Sequence, residues 1–236
     1  MTRIGLVVPS SNTTAEPEFR AMAPSSVTVH GARMPLEDVT PDGLDEMADG
    51  AERAGRLLGH ADVDGVAYAC TTGSLLHGPG FDADLESRLE DAVEGPAVAT
   101  ALSVRRAFEA LDVETLAVRT PYAPELDELE RDYLEATGFD VVSMQGRGIV
   151  DNTDIGALTA GDAASQVIET VEDPVEADGV FVSCTNYATV GALAALEDRF
   201  GVPVVSSNVA TMWDLAHRLD VEPAIEGSLG TVAPDG

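Results

Sequence analysis

One short sequence unit occurs twice in this chain, and this repeat limits the fold more than any other feature. Residues 64–74 read DGVAYACTTGS and residues 178–186 read DGVFVSCTN, so that Cys184 follows Cys70 by 114 residues. Each copy places an apolar run between an Asp-Gly pair and a Cys-Thr pair, as expected for a buried strand that ends in a turn. The repeat predicts two similar halves, each with a cysteine at a strand end.

The rest of the chain alternates short apolar runs with amphipathic segments, which is typical of α/β folds with helices on both faces of a parallel sheet. A chain of 236 residues can form one large domain or two of roughly 100 to 120 residues. We predict two pseudo-symmetric parallel-sheet α/β domains, over residues 1–112 and 113–236, with the active site in the cleft between them. The helix predicted over 103–111 can pack across onto the second half. In that half, a turn at 151–154 is predicted to cap a helix that runs from about residue 163 to 170.

Polar and nucleophilic residues follow the predicted strands. Cys70, Cys184, Asn12, Tyr122 and Asn152 all lie just past a strand end or at the start of the next helix, where ligands bind in parallel α/β folds. Amide groups in strand-end turns can lower a thiol pKa from about 8.5, so we expect a catalytic cysteine pair, with inert buried thiols as the alternative. An asparagine amide offers two N–H donors to a carboxylate without adding charge. The Tyr122 hydroxyl is either such a donor or part of the core.

The sequence predicts neither a metal nor a cofactor. Two cysteines and four scattered histidines match no metal-ligand spacing. No run approaches the roughly 20 apolar residues of a membrane span, and the first residues lead into a strand pattern, so we expect a cytoplasmic protein. A reducing cytosol would keep the cysteines as thiols rather than as a disulfide.

The acidity of the chain excludes some partners. It has 42 acidic residues against 13 basic ones, a net charge of −29, and every basic residue is arginine. We therefore expect no binding to nucleic acid or to anionic membranes. Because the composition is otherwise that of a globular protein and the charge is scattered, we expect a halophilic protein whose fold depends on salt.

Several motifs together resemble one known superfamily. They span nearly the whole chain: VPSSNTT at 8–14, ACTTGS at 69–74, TPY at 120–122, DN at 151–152, SCTN at 183–186 and VSSN at 205–208. In their order and spacing the chain resembles the aspartate/glutamate racemase superfamily, and within it the branch of maleate cis-trans isomerases and arylmalonate decarboxylases. The resemblance implies a two-domain fold, no cofactor, and a homodimer or homotetramer.

The resemblance also implies roles for individual residues. Cys70 matches the nucleophile of maleate isomerases and Cys184 matches their proton donor. Asn12, Tyr122 and Asn152 match substrate-binding positions. The residues after each cysteine match positions that hold the substrate carboxylates, namely Thr71, Thr72, Thr185 and Asn186. The expected reaction is the cis-trans isomerisation of a small dicarboxylate, most simply maleate to fumarate.

Three other functions stay open at this point. Two thiols on opposite sides of a substrate also suit a two-base racemase acting on an amino acid or a hydantoin-like compound. An arylmalonate decarboxylase-like enzyme is the second alternative, although such enzymes keep only the second cysteine of the pair, so that Cys70 argues against decarboxylation. A ligand-binding protein without catalytic activity is the third.

Overall fold

The computed structural model of the protein describes residues 1–36, 41–75, 77–172 and 175–233; for residues 41–49 it describes the backbone only. The first half of the chain contains four strands and five helices within these residues: β1 (Thr2–Pro9), α1 (Ala15–Met22), β2 (Val27–Met34), α2 (Pro41–Gly59), β3 (Gly65–Tyr68), α3 (Thr72–Leu75), α4 (Phe81–Val93), β4 (Ala97–Ala99) and α5 (Thr100–Ala110).

The second half repeats the alternation of strands and helices. Its elements are β5 (Thr115–Arg119), α6 (Pro124–Ala136), β6 (Asp140–Gln145), α7 (Asn152–Gly156), α8 (Ala160–Thr170), β7 (Gly179–Val182), α9 (Leu193–Phe200), β8 (Val204–Ser206) and α10 (Ser207–Arg218). A single 3₁₀ turn, Ser228–Thr231, follows.

Each half forms one four-stranded sheet, and the two sheets have equivalent strand orders. They run β2-β1-β3-β4 and β6-β5-β7-β8, and every neighbouring pair is parallel. The strands β3 and β7 are buried along their whole length, as expected for continuous apolar runs covered on both faces. The predicted α/β class with two similar halves is confirmed.

The two cysteines leave their sheets at equivalent points. After β3 one more bond follows, from Ala69 N to Val7 O at 2.8 Å, and after β7 the matching bond joins Ser183 N to Arg119 O at 2.8 Å. The neighbouring strands then reach proline, which has no N–H with which to extend a ladder. Each cysteine therefore lies in a loop, two residues beyond the last strand residue.

The prediction for the segment after residue 151 is wrong in one respect. Asp151 caps the short helix α7, because its side chain accepts from the Thr153 backbone N–H. A separate helix, α8, begins at Ala160 and not near residue 163, because Thr159 and Asp162 form a capping box.

The helices α5 and α10 join the two halves. Ser103 Oγ and Arg106 Nη1 both donate to Asp214 Oδ2 at 2.8 Å, and Thr211 Oγ1 donates to Thr100 Oγ1 at 3.0 Å. The helix that ends the first half therefore packs on the second.

The domain boundary after residue 112 stays a prediction. None of the described helices is both long and apolar enough to cross a bilayer.

Candidate active site

The first cysteine lies between β3 and α3 and is almost completely buried. Cys70 is 3% exposed, and its Sγ lies 3.6 Å from Thr72 Oγ1. Burial raises the pKa of the Cys70 thiol, although bonds from the Thr72 hydroxyl and from the backbone amides of Thr72 and Gly73 act to lower it. The expectation that turn amides give this thiol a lowered pKa is therefore wrong, because desolvation of the thiolate outweighs its hydrogen bonds.

The second cysteine lies in a strained turn after β7. Cys184 has a φ of +96°, a left-handed value that side chains other than glycine rarely adopt. Its N–H donates to Ser207 Oγ at 3.0 Å, and its Sγ accepts from the Asn186 backbone N–H at 3.3 Å. Burial raises the pKa of the Cys184 thiol to about 12, so that Cys184 holds its proton at neutral pH. This state suits a proton donor.

Hydrogen bonds from one half to the other hold the two cysteine turns together. Thr71 Oγ1 pairs with Ser207 Oγ at 3.0 Å, and Ser207 also accepts from Cys184 N. Thr185 Oγ1 donates to the Ala69 carbonyl at 3.1 Å. The residues directly beside Cys70 are thus tied to the loop of Cys184, and a negative charge on Cys70 raises the pKa of Cys184. The loops that carry the two cysteines therefore lie against each other.

Three of the predicted site residues are asparagines, and they form a network between the halves. Asn12 Nδ2 donates to Thr185 Oγ1 at 3.1 Å, while Asn12 Oδ1 accepts from the first amides of α1. Asn152 Nδ2 donates to Ser11 Oγ at 2.8 Å. The side chain of Asn186 is engaged at both ends, since its Nδ2 donates to Asn152 O at 2.6 Å and its Oδ1 accepts from Thr13 N at 2.9 Å.

All three amides leave a donor unused. Among the described residues, Asn12, Asn152 and Asn186 each use one of their two side-chain N–H donors, so that each keeps a second for a ligand. The donors already in use hold the two halves together at this corner of the site.

Tyr122 lies beside Cys184 and belongs to the same buried group. Its side chain is 2% exposed, and its N–H donates to Thr120 Oγ1 at 3.0 Å. Burial and the charge of a Cys184 thiolate both raise the pKa of the Tyr122 hydroxyl, while this hydroxyl lowers the pKa of Cys184. A phenol next to a sulfur that must release a proton stabilises the resulting thiolate.

The structure adds three residues that the sequence interpretation missed. Tyr68 is fully buried beside Cys70, and its hydroxyl acts to lower the pKa of the Cys70 thiol. The sequence could have indicated this role, because Tyr68 lies two residues before Cys70 and alternate residues of an extended chain lie on the same face. Ser207 lies within a motif that had received no role. Glu130, on the polar helix α6, approaches Cys184, and nothing in the sequence pattern indicates this.

Metal binding has no support in the described parts of the chain. Within them, no three residues of the types His, Cys, Asp and Glu lie close enough together to hold an ion.

Comparison with known proteins assigns the family. A family model described as arylmalonate decarboxylase matches residues 4–232. The chain belongs to the arylmalonate decarboxylase family. Within this family it is 31% identical to a maleate isomerase of Nocardia farcinica, covering 96% of this chain and 93% of the relative. It is 30% identical to a maleate isomerase of Pseudomonas putida, covering 96% and 95%. An arylmalonate decarboxylase of Bordetella bronchiseptica is 27% identical over 89% of this chain and 88% of the relative.

Solved structures of family members share the whole fold. A maleate isomerase of Pseudomonas putida S16 with one cysteine replaced by alanine, solved with maleate, superposes with a TM-score of 0.92 at 28% identity, covering 98% of both chains. A Nocardia farcinica maleate cis-trans isomerase with one cysteine replaced by serine carries a covalently bound succinylcysteine intermediate; its TM-score is 0.86 at 27% identity, covering 94% of both chains. The superfamily resemblance is confirmed, and this member of the arylmalonate decarboxylase family is an isomerase.

Proposed function

We propose that the protein isomerises maleate to fumarate without a cofactor, with Cys70 as nucleophile and Cys184 as proton donor. The observation that carries the proposal is the meeting of two buried cysteines from the two halves in one site, tied together through Thr71, Ser207 and Thr185. Support comes from relatives named maleate isomerases along nearly the whole chain, one of which forms a succinylcysteine intermediate.

The reaction needs one nucleophile and one acid. Cys70 adds to one alkene carbon as the thiolate, the form that the Thr72 hydroxyl and the backbone amides of Thr72 and Gly73 stabilise against the cost of burial. A C–S bond forms, and the electron pair of the double bond moves to the neighbouring carbon and its carboxylate. That carbon takes the proton of Cys184, which becomes a thiolate, and the former double bond is now single and rotates. Cys184 then takes a proton back from the same carbon, the C–S bond breaks, and the trans alkene is released with the Cys70 thiolate.

Neutral donors suit the two carboxylates of such a substrate. The second N–H groups of Asn12 and Asn152 and the hydroxyl of Tyr122 belong to the same buried group as the cysteines. Thr72 brings its hydroxyl and its backbone amide beside the Cys70 sulfur, and Thr71 and Thr185 directly follow the two cysteines. Neutral donors do not cancel the negative charge of a bound dianion, so each hydrogen bond to its carboxylates is charge-assisted and therefore stronger.

Two alternatives make different products from the same site. A racemase would use the two thiols as bases on opposite faces of an alpha carbon, which the paired arrangement also favours. A decarboxylase, as the Bordetella relative is named, would release carbon dioxide from a malonate and would need only a proton donor. Cys70, which a decarboxylase would not need, argues against decarboxylation, and the relatives named maleate isomerases favour the isomerase over the racemase.

The deciding experiment follows maleate by proton NMR. The purified protein, in molar salt and D₂O, should convert the maleate signal into that of fumarate, while Cys70→Ala should leave maleate unchanged. Exchange of an alpha proton for deuterium in an amino acid, without any conversion of maleate, would instead indicate a racemase. We also propose that the protein is a homodimer or homotetramer, and size-exclusion chromatography in the same buffer tests this.

A further inference from the structure

One buried carboxyl group near Cys184 has no role in the mechanism described above. Glu130 lies on α6 and is 1% exposed. Its Oε1 accepts from Ser183 Oγ at 2.5 Å, and its Oε2 has no hydrogen-bond partner among the described residues. No arginine pairs with it within the same parts of the chain. A buried carboxylate with half of its acceptors unused and no cation beside it is unfavourable, so the geometry favours the protonated acid.

The charges around Glu130 also favour its protonated form. Burial raises the pKa of the Glu130 carboxyl to about 8, and the negative charge of Asp127, one turn earlier on α6, adds to the rise. The groups that face it from other elements are Ser183 and Cys184 in the loop after β7 and Tyr122 in the loop after β5. None of these groups is a cation, and the hydrogen bond from Ser183 only partly offsets the effect of burial.

Glu130 reaches Cys184 through the preceding residue. Ser183 is fully buried and comes directly before the cysteine whose φ is +96°. The bond from Ser183 Oγ to Glu130 therefore holds one end of a strained turn, and the bond from Cys184 N to Ser207 Oγ holds the next position. Charge on Glu130 also acts directly, since an ionised carboxylate raises the pKa of both Cys184 and Tyr122.

We propose that Glu130 is a positioning residue for the proton donor, and that it acts on Cys184 through Ser183 as an uncharged carboxyl group. This inference rests on the proposed function, because it concerns the moment at which Cys184 has given up its proton. A neutral carboxyl group does not repel the new thiolate, so the hydrogen bonds from the Tyr122 hydroxyl and the Asn186 backbone amide can stabilise it. An ionised carboxyl group would repel that thiolate and make Cys184 a poorer acid.

The pH profile of maleate turnover tests this charge effect. Wild-type kcat should stop rising, or fall, above about pH 8, because one pH unit beyond a pKa leaves only about a tenth of the group protonated. Glu130→Gln keeps an acceptor for Ser183 and cannot ionise. Near pH 7, the kcat of Glu130→Gln should stay close to that of the wild type, whereas the kcat of Glu130→Ala should fall. At pH 9, the kcat of Glu130→Gln should exceed that of the wild type by up to about tenfold.

A matched variant on the same helix gives an effect in the opposite direction. Asp127→Asn removes the like charge that raises the pKa of Glu130, so the alkaline decline of kcat should begin at lower pH than in the wild type. Glu130→Gln and the wild type declining together would overturn the inference. An alkaline limb that Asp127→Asn leaves in place or moves to higher pH would also overturn it.

Carbon-13 NMR gives a test that needs no substrate. In protein labelled at the glutamate carboxyl carbons, the signal that disappears in Glu130→Gln should titrate with a midpoint near pH 8. A midpoint near the ordinary value of about 4.3 would overturn the inference, whether or not maleate is the substrate. A wild-type protein that does not isomerise maleate would contradict the proposed function, and the carbon-13 titration would still support or overturn the protonated state of Glu130.

Discussion

Ser207→Ala tests how the two halves align their cysteines. Ser207 Oγ accepts from the buried Cys184 N–H at 3.0 Å and pairs with Thr71 Oγ1 at 3.0 Å, so one hydroxyl contacts both cysteine turns. Leaving a buried donor unpaired costs about 1–3 kcal/mol, and we expect the free energy of unfolding to fall by that amount. A displacement of about 1 Å between reacting groups lowers rates on the order of 100-fold, so kcat should fall roughly 10- to 100-fold.

Ser206→Ala is the matched control. Ser206 is the preceding residue, is also buried, and accepts from Thr189 Oγ1 at 2.8 Å; within the described residues its hydroxyl has no hydrogen bond to either cysteine or to the residue after it. Because the buried Thr189 hydroxyl loses its acceptor, this variant should also lose about 1–3 kcal/mol of stability, but with little change in kcat. Urea denaturation and the NMR rate of fumarate formation, measured in the same salt, separate the two effects. Equal losses of kcat in both variants, or an unchanged kcat in Ser207→Ala, would refute the alignment argument.

Three further predictions follow from the site and from the charge of the chain. Cys70→Ser should abolish turnover with melting unchanged, because a serine hydroxyl is a far poorer nucleophile; more than a few per cent of residual activity would exclude the role of Cys70. Cys184→Ala should stop turnover while mass spectrometry still detects an adduct on Cys70, and loss of both adduct and maleate binding would make Cys184 a binding residue. Lowering salt from molar to about 50 mM at pH 7 should lower Tm, and a flat Tm would remove the halophile proposal. Lowering the pH towards 5 at low salt should restore part of that stability, because the folded state binds protons more tightly wherever burial raises a carboxyl pKa, as it does for Glu18, Asp82, Asp127 and Glu130.

The repeated unit around each cysteine was sufficient to predict the architecture. An apolar run followed by a turn is a local pattern, and two copies of it indicated two sheets with a cysteine beyond an equivalent strand of each. The start of α8 was also readable, since Thr159 and Asp162 have the spacing of a capping box, but the apolar residues further on dominated the interpretation. Strand ends and helix starts depend on neighbours in the chain, which explains why most of them could be predicted.

The environment of each cysteine was decided by packing. The turn amides that were expected to lower the pKa of Cys70 are present, but the pKa is raised, because burial of the thiol is a property of the assembled core. Ser207 pairs with Thr71 across 136 residues of chain, and Ser183 with Glu130 across 53. Residue periodicity carries no information about contacts at such separations. The sequence alone therefore determined which groups can react, whereas the tertiary structure decided which of them hold a proton and what surrounds them when they release it.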